Sequence, residues 1–304
     1  MEDTTNSTTI TDTHPQIAQE IPNTIRVFTD GRVERLRGTD VVPPSLPPHS
    51  VVSSKDITLD SQNNITARLF LPERQGSRSH KLPILLYIHG GAFCVNSPFN
   101  AAYHNYLTAL VSQANVVAIS IKYRLAPEHP LPATYEDSWV ALQWLASHRK
   151  SNGPEPWLNE HADFERVFLA GDSAGANIVH NIIMMAGHPD LDLSMDILGA
   201  CLIHPYFWGS TSIGSEAVEP GQKELVDRLW PRVLVCIAEK DVLKDRGRLY
   251  YDTLGRSGWT GVVEIEETQG KGHVFHIYDL ECSEAKELMK NIAEFFNRDA
   301  PPSI

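Results

Sequence analysis

Short apolar, β-branched runs alternate with amphipathic helical patterns from about residue 53 onward, and this alternation limits the fold more than any other feature. Strands that alternate with helices pair in parallel, because each helix carries the chain back along the sheet. The sequence therefore predicts an α/β fold, with a mostly parallel central sheet and helices on both faces. The predicted strands are SSKDITLD, NITARLFLP, LPILLYIHG, NVVAISIKYR, 167–170, DILGACLIHP, RVLVCIAEKD and GVVEIEET, and the predicted helices are 101–113, 134–149, 174–185, 222–230, 245–255 and 283–297.

One predicted strand runs directly into a serine between two glycines. Gly171, Ser173 and Gly175 form the pattern Gly-x-Ser-x-Gly between the run at 167–170 and the helix that follows. A direct reversal from strand to helix strains the central residue, and the glycines remove side chains that would clash. The hydroxyl then stands beside a helix N-terminus, which favours negative charge. The pattern indicates a nucleophile, although an ordinary strand-to-helix turn has the same pattern.

The predicted strand LPILLYI ends in His89-Gly90-Gly91-Ala92-Phe93. In a parallel sheet, reactive groups collect at the carboxyl ends of strands. Two adjacent glycines at such an end can turn their N–H groups into an open cavity, since no side chain blocks the approach. We therefore expect the N–H groups of Gly90, Gly91 and Ala174 to form an oxyanion hole. The alternative is a glycine turn that binds nothing.

Two later strands end in residues that would complete a Ser…Asp…His order. Asp241 stands at the end of the predicted strand RVLVCIAEKD, whereas Asp245 is placed to cap the following helix, so we favour Asp241 as the orienting acid. His273 lies in the loop after the last strand, where a general base belongs. His276 lies in an aromatic run with helical character and is more typical of a structural histidine with satisfied hydrogen bonds.

These motifs occur together in a specific order. HGGAF, YRLAPEHPLPA, GDSAGAN, EKDVLKDRGRLYY and GHVFH resemble the plant carboxylesterases of the hormone-sensitive-lipase-like group, in the α/β-hydrolase superfamily, over most of residues 20–298. The resemblance implies an α/β-hydrolase fold and a serine carboxylesterase that hydrolyses small-molecule esters through an acyl-enzyme. It also implies a Ser173–Asp241–His273 triad, an oxyanion hole at Gly90, Gly91 and Ala174, and no cofactor.

The same resemblance includes proteins with other functions. Gibberellin receptors are similar to these esterases but lack the catalytic histidine, and His273 is present here. Dehydratases of 2-hydroxyisoflavanones share the triad scaffold, but Ser173, rather than threonine, favours ester hydrolysis. A non-catalytic hormone receptor and a dehydratase-like enzyme therefore remain the alternatives to the esterase.

The composition argues against two classes of partner. The net charge of −12 argues against nucleic acid or an anionic membrane as the main partner. The first residues show no basic segment followed by an apolar one, so we expect a cytoplasmic protein, with a nuclear pool as a further possibility. We also expect a monomer or weak homodimer. The cysteines, which show no metal-ligand spacing, are Cys94, Cys201, Cys236 and Cys282.

The resemblance also gives a domain plan with one departure. Residues 1–15 are expected to be disordered, and 16–304 to form a single α/β-hydrolase domain in which 16–50 contributes a lid. In relatives a long segment follows the helix that ends near VDRLWP, but here Arg232 comes directly after Pro231. Part of the family's region after residue 231 is thus absent. Because so short a connection hardly spans the gap from helix to sheet, we expect the helix before Trp230 to fray or swing away.

Overall fold

The structure is a computed structural model that describes residues 15–46, 48, 50–73, 80–188, 190–191, 193–208 and 231–298. Its strands are β1 (Ile17–Ile21), β2 (Ile25–Phe28), β3 (Val33–Arg35), β4 (Val52–Asp60), β5 (Ile65–Pro72), β6 (Leu82–Ile88), β7 (Val117–Lys122), β8 (Ala162–Asp172), β9 (Gly199–Ile203), β10 (Arg232–Ala238) and β11 (Val262–Thr268). Its helices are α1 (Ala101–Ala114), α2 (Ala133–Ala146), α3 (Pro156–His161), α4 (Ala174–Ala186), α5 (Lys244–Arg256), α6 (Phe275–Tyr278) and α7 (Ser283–Asn297).

Eight strands form the central sheet in the order β11-β10-β9-β8-β6-β7-β5-β4. The pairs β4–β5 and β5–β7 are antiparallel, and the other neighbours are parallel. Helices α2, α4 and α5 pack in one hydrophobic core, and α1 and α7 pack in a second. The predicted α/β architecture, with a mostly parallel sheet covered on both faces, is confirmed.

Burial along each strand follows its place in the sheet. All seven residues of β6 and all seven of β10 are buried, because helices cover both faces of these strands. In β11, at the sheet edge, all seven residues are only partly buried. The parallel strands β6, β8, β10 and β11 all end at one edge of the sheet, which brings the segments that follow them together.

A separate three-stranded antiparallel sheet, β1-β2-β3, precedes the central one. The sequence did not predict these strands, since none has a fully buried face, and all five residues of β1 are exposed. The short helix α3 was also missed, because six residues are too few for a clear helical pattern. By contrast, α7 spans the predicted residues 283–297.

Some predictions concern residues outside the described part of the chain. They are the disorder of the N-terminus as far as residue 14 and the helix at 222–230, including Trp230. At the junction itself, Pro231 is exposed, and its carbonyl oxygen accepts the Val262 N–H at 2.9 Å. Among the helices of the described ranges, none is both long and apolar enough to cross a membrane.

Candidate active site

Ser173 occupies the turn between β8 and α4 in a strained conformation, with φ 52° and ψ −118°. The chain folds back so closely here that a Cβ atom on Gly171 would lie 2.6 Å from the carbonyl carbon of Gly175. The Ser173 N–H donates to the Ile203 carbonyl at 2.9 Å, and its carbonyl accepts the Tyr206 N–H at 3.0 Å. These bonds fix the strained residue, and the glycines make the close turn possible.

His273 lies between Ser173 and Asp241. Its Nε2 is 2.9 Å from Ser173 Oγ, and its Nδ1 is 2.7 Å from Asp241 Oδ2. Asp241 follows β10 and His273 follows β11, so the parallel sheet delivers both to the edge where Ser173 stands. The three residues singled out by the sequence thus form one continuous hydrogen-bonded chain.

The environment of Asp241 favours its charged form. Burial alone raises the pKa of this carboxyl, but hydrogen bonds from His273 and from the Leu243 N–H bring the pKa below its usual range. The other oxygen, Oδ1, accepts the Leu243 N–H at 2.8 Å. Because an ionised carboxylate only accepts, His273 must carry its proton on Nδ1. Its Nε2 is then free to accept the Ser173 hydroxyl proton.

The two alternative residues lie elsewhere. Asp245 is inside the first turn of α5, whose N-cap is Leu243, so the prediction that Asp245 caps this helix is wrong. The N-cap of α5 is thus two residues before the predicted cap. His276 is buried in α6, as a structural histidine would be, but within the described chain neither ring nitrogen has a hydrogen-bond partner. The burial of His276 fits the predicted structural histidine, whereas the predicted hydrogen bonds are not found among the described residues. Burial, followed by the nearby His273, lowers its pKa to about 3.

Gly90 does not fit its predicted place in the oxyanion hole. Its N–H donates to Tyr103 Oη at 2.9 Å and to Asp172 Oδ1 at 3.1 Å. One N–H group directed at these two buried acceptors is not available to a ligand. This part of the prediction is wrong because the sequence does not show which N–H of the glycine turn the protein uses for itself.

Three other N–H groups, those of Gly91, Ala92 and Ala174, have no acceptor among the described residues. No described residue accepts a hydrogen bond from the N–H of Gly91 or Ala92. Ala174 opens α4, and the first N–H groups of a helix lack intrahelical acceptors. Ala92 was not predicted to contribute to the oxyanion hole, because that prediction relied on glycines and Ala92 carries a Cβ. Its left-handed φ of 52°, which turns its N–H out of the usual direction, is visible only in the structure.

Asp172 is hydrogen-bonded to the loop that follows β6. Besides the Gly90 N–H, this carboxylate accepts the hydroxyls of Tyr87 and Tyr103, both at 2.8 Å. Burial raises the pKa of Asp172, while the hydrogen bonds from Tyr103, Tyr87 and Gly90 act in the opposite direction. Neither Asp172 nor Tyr103 was predicted from the sequence. The one signal was that Asp172 is a buried carboxylate beside the nucleophile.

Among the described residues, one group of side chains lies close enough together to hold a metal ion. His204, Asp241 and His273 offer ligand atoms within 4.8 Å of one another. However, Nδ1 of His273 already bonds Asp241, and Nδ1 of His204 accepts the Val274 N–H at 2.8 Å. An ion here would have to replace both hydrogen bonds. The group is therefore better described as part of the hydrogen-bonded site.

The segment that leads from β3 reaches loops around the site. Arg35 donates to the Cys94 carbonyl at 2.7 Å and pairs with both carboxylate oxygens of Glu128. Arg37 donates to the hydroxyl of Tyr278, in the helix after His273, at 2.7 Å. Segment 16–50 thus contacts both the loop that follows β6 and the helix α6 that follows His273, and its function as a lid stays a prediction.

The chain is similar to known α/β-hydrolases and esterases. Residues 85–230 match a family model described as an α/β-hydrolase fold. The chain is 42% identical to the probable carboxylesterase 2 of Arabidopsis thaliana, covering 94% of this chain and 98% of the relative. That alignment spans 316 positions, more than the 304 residues of this chain, so this chain has gaps against the relative.

Two further similarities concern a named dehydratase and a solved structure. The chain is 41% identical to the 2-hydroxyisoflavanone dehydratase of Glycyrrhiza echinata, covering 95% of this chain and 99% of the relative. A hyperthermophilic esterase from the archaeon Pyrobaculum calidifontis superimposes with a TM-score of 0.65 at 25% identity, covering 80% of this chain and 84% of the esterase.

Proposed function

The chain belongs to the plant carboxylesterase family of α/β-hydrolases and is a carboxylic ester hydrolase, and on that premise we propose that Ser173, His273 and Asp241 form its catalytic triad. The observation that carries the proposal is the unbroken hydrogen-bonded chain from Ser173 Oγ through the His273 ring to Asp241. A serine is a weak nucleophile until an adjacent base takes its proton, and this chain supplies that base.

The reaction proceeds in two steps. His273 Nε2 accepts the hydroxyl proton as Ser173 Oγ attacks the ester carbonyl, and Asp241 stabilises the imidazolium that forms. Collapse of the tetrahedral intermediate expels the alcohol, which takes the proton from His273, and leaves an acyl-enzyme. Water then attacks the acyl carbon with His273 again as base, which releases the acid and restores Ser173.

The oxyanion hole consists of the N–H groups of Gly91, Ala92 and Ala174. These N–H groups belong to the loop after β6 and to the start of α4, and no described residue accepts a hydrogen bond from them, whereas the N–H of Gly90 is used by Tyr103 and Asp172. Each such donor contributes about a hundredfold to a thousandfold to the rate. Gly90 instead supports the loop that presents the other donors.

The direct test is turnover of short-chain p-nitrophenyl esters together with labelling by a fluorophosphonate. Wild-type protein should hydrolyse the esters and take up one label, at Ser173. Ser173→Ala should lose both while keeping its melting temperature, with a rate loss on the order of a millionfold. A folded Ser173→Ala variant with near-normal activity would remove Ser173 from the mechanism.

A second candidate is a dehydratase that acts on 2-hydroxyisoflavanones, supported by the named relatives of Glycyrrhiza echinata and Glycine max. In that reaction His273 would remove a proton from carbon while the 2-hydroxyl departs as water. Incubation with a 2-hydroxyisoflavanone, followed by chromatography for the isoflavone, distinguishes the two. For a hormone receptor, the third alternative, we expect neither product nor fluorophosphonate labelling.

The remaining properties are part of the same proposal. The enzyme acts on small-molecule esters without a metal or organic cofactor, as a monomer or weak homodimer. It is located in the cytoplasm, with a possible nuclear pool, and binds neither nucleic acid nor membrane. Activity after chelation, size-exclusion chromatography and a fluorescent fusion test these points separately.

A further inference from the structure

His204 lies behind the proposed triad and has no part in the reaction described above. It follows β9 directly, is 1% exposed, and has a left-handed φ of 48°. Its N–H donates to the Cys236 carbonyl in β10 at 2.8 Å. The main chain is therefore held in an unfavourable conformation that turns the imidazole toward the residues after β10 and β11.

The ring of His204 holds the residue next to His273. Its Nδ1 accepts the N–H of Val274 at 2.8 Å. Val274 itself has φ 46°, a region that β-branched residues rarely occupy. Such a conformation persists only when surrounding contacts enforce it, and this hydrogen bond is one of them.

The same nitrogen faces Asp241. His204 Nδ1 lies 3.9 Å from Asp241 Oδ2, the oxygen that accepts the proton of His273. Since Nδ1 accepts the Val274 N–H, the proton of the neutral ring is on Nε2. Burial, with His276 acting in the same direction, lowers the pKa of His204 well below its ordinary value, despite the opposing charge of Asp241.

A neutral histidine has two useful properties at this position. It supplies an acceptor to the Val274 N–H without placing a second negative charge beside Asp241, as a carboxylate would. It also directs no proton at Asp241 Oδ2, so that oxygen remains available to His273. An aromatic hydrocarbon ring would satisfy the second condition but would leave the partly buried Val274 N–H without this acceptor.

We propose that His204 is a positioning residue that holds the loop of His273 in register with Ser173 through its hydrogen bond to Val274. The inference rests on the proposed function, because it concerns the geometry of that triad. It assigns a role in turnover to a side chain that contacts neither substrate nor Ser173. A loop shift of about 1 Å at a catalytic base is enough to cost up to a hundredfold in rate.

Two substitutions test the hydrogen-bond acceptor Nδ1 of His204 and its aromatic ring separately. His204→Phe keeps an aromatic ring but removes Nδ1. His204→Asn loses the ring but places Oδ1 the same number of bonds from the main chain as Nδ1. If positioning depends on the acceptor, His204→Phe lowers kcat about tenfold to a hundredfold with little change in KM, and His204→Asn recovers most of it. If the ring only fills space, the order is reversed.

His276→Phe is the matched control, because this second buried histidine packs against His204 at 5.2 Å between ring centroids. Its kcat should stay within about twofold of wild type. Hydrogen–deuterium exchange of the peptide 270–278 gives a readout without turnover. Exchange at Val274 should accelerate in His204→Phe and remain near wild type in His204→Asn and His276→Phe.

The proposal is overturned by a His204→Phe variant with wild-type kcat and exchange, or by a His204→Asn variant slower than His204→Phe. It is also overturned if His276→Phe loses as much kcat as His204→Phe, because packing of the cluster would then be responsible. These outcomes differ from failure of the proposed function, which would appear as activity retained by Ser173→Ala.

Discussion

His273 Nδ1 lies 2.7 Å from Asp241 Oδ2, although 32 residues separate the two in the sequence. The carboxylate is buried, whereas about a third of the imidazole is exposed. A buried partner fixes the ring and its proton, and the exposed part of the ring is open to solvent. His273 thus has a fixed hydrogen bond to a buried carboxylate while part of its own ring remains exposed.

Asp241→Asn should reduce kcat/KM by about ten-thousandfold, because an amide at this position stabilises the wrong imidazole tautomer. Asp245→Asn is the matched control. Its side chain lies in the first turn of α5, so the change should cost at most about 1 kcal/mol through the helix dipole. Steady-state kinetics on both variants would show the opposite order if Asp245 were the acid.

Tyr103→Phe should lower both kcat and Tm, because the change removes a buried hydroxyl that links Asp172 to the Gly90 N–H. The loss of stability should be about 1–3 kcal/mol. Tyr106→Phe provides the control on the same helix, since in the described chain the Tyr106 hydroxyl is buried without a hydrogen-bond partner. Thermal unfolding of Tyr106→Phe should match or exceed that of wild type, and equal losses in both variants would contradict the proposed support of the loop.

Tm should fall as the pH decreases from about 6.5 toward 4. Burial lowers the pKa of His89 and of His180 from 6.5 to about 4, and that of His276 to about 3. In this range the unfolded chain binds protons that the native chain does not, so stability rises with pH and is lost on acidification. One histidine shifted to about 4 accounts for about 3 kcal/mol at pH 4.

The measurement is a series of thermal unfolding curves between pH 7 and 4. His276→Phe should lose less of its Tm over this range than wild type, because one of the contributing histidines has been removed. A Tm independent of pH in wild type would mean that these side chains become protonated without unfolding, which is contrary to their burial.

The junction at Pro231 gives the last prediction. A relative's segment grafted between Pro231 and Arg232 should raise Tm and esterase rate, because the sequence leaves fewer residues between the helix predicted at 222–230 and β10 than a helix-to-strand connection usually has. The strand side is well anchored, since Arg232 is buried and its Nη1 donates to the Arg298 carbonyl at 2.8 Å. Unchanged Tm and unchanged rate in the grafted protein would show that the short junction is tolerated.

Much of the central sheet was predictable because its signals are local. Strands such as β6 and β10 read as continuous apolar runs, since helices cover both of their faces. Strands β1–β3 gave no such signal, because a small sheet whose residues are mostly exposed or only partly buried shows no clear alternation. The prediction of a single domain over 16–304 still awaits a test such as limited proteolysis.

The sequence by itself determined the order of the central strands β4–β11 and the placement of Ser173, Asp241 and His273 at strand ends, because periodicity and turn residues act over a few neighbours. Only the tertiary structure decided which groups near the site are already engaged. The Gly90 N–H is directed at a carboxylate 82 residues away, and His204 reaches an N–H 70 residues away. Hydrogen bonds of this kind form between segments that meet only in the folded chain, so no local pattern of residues encodes them.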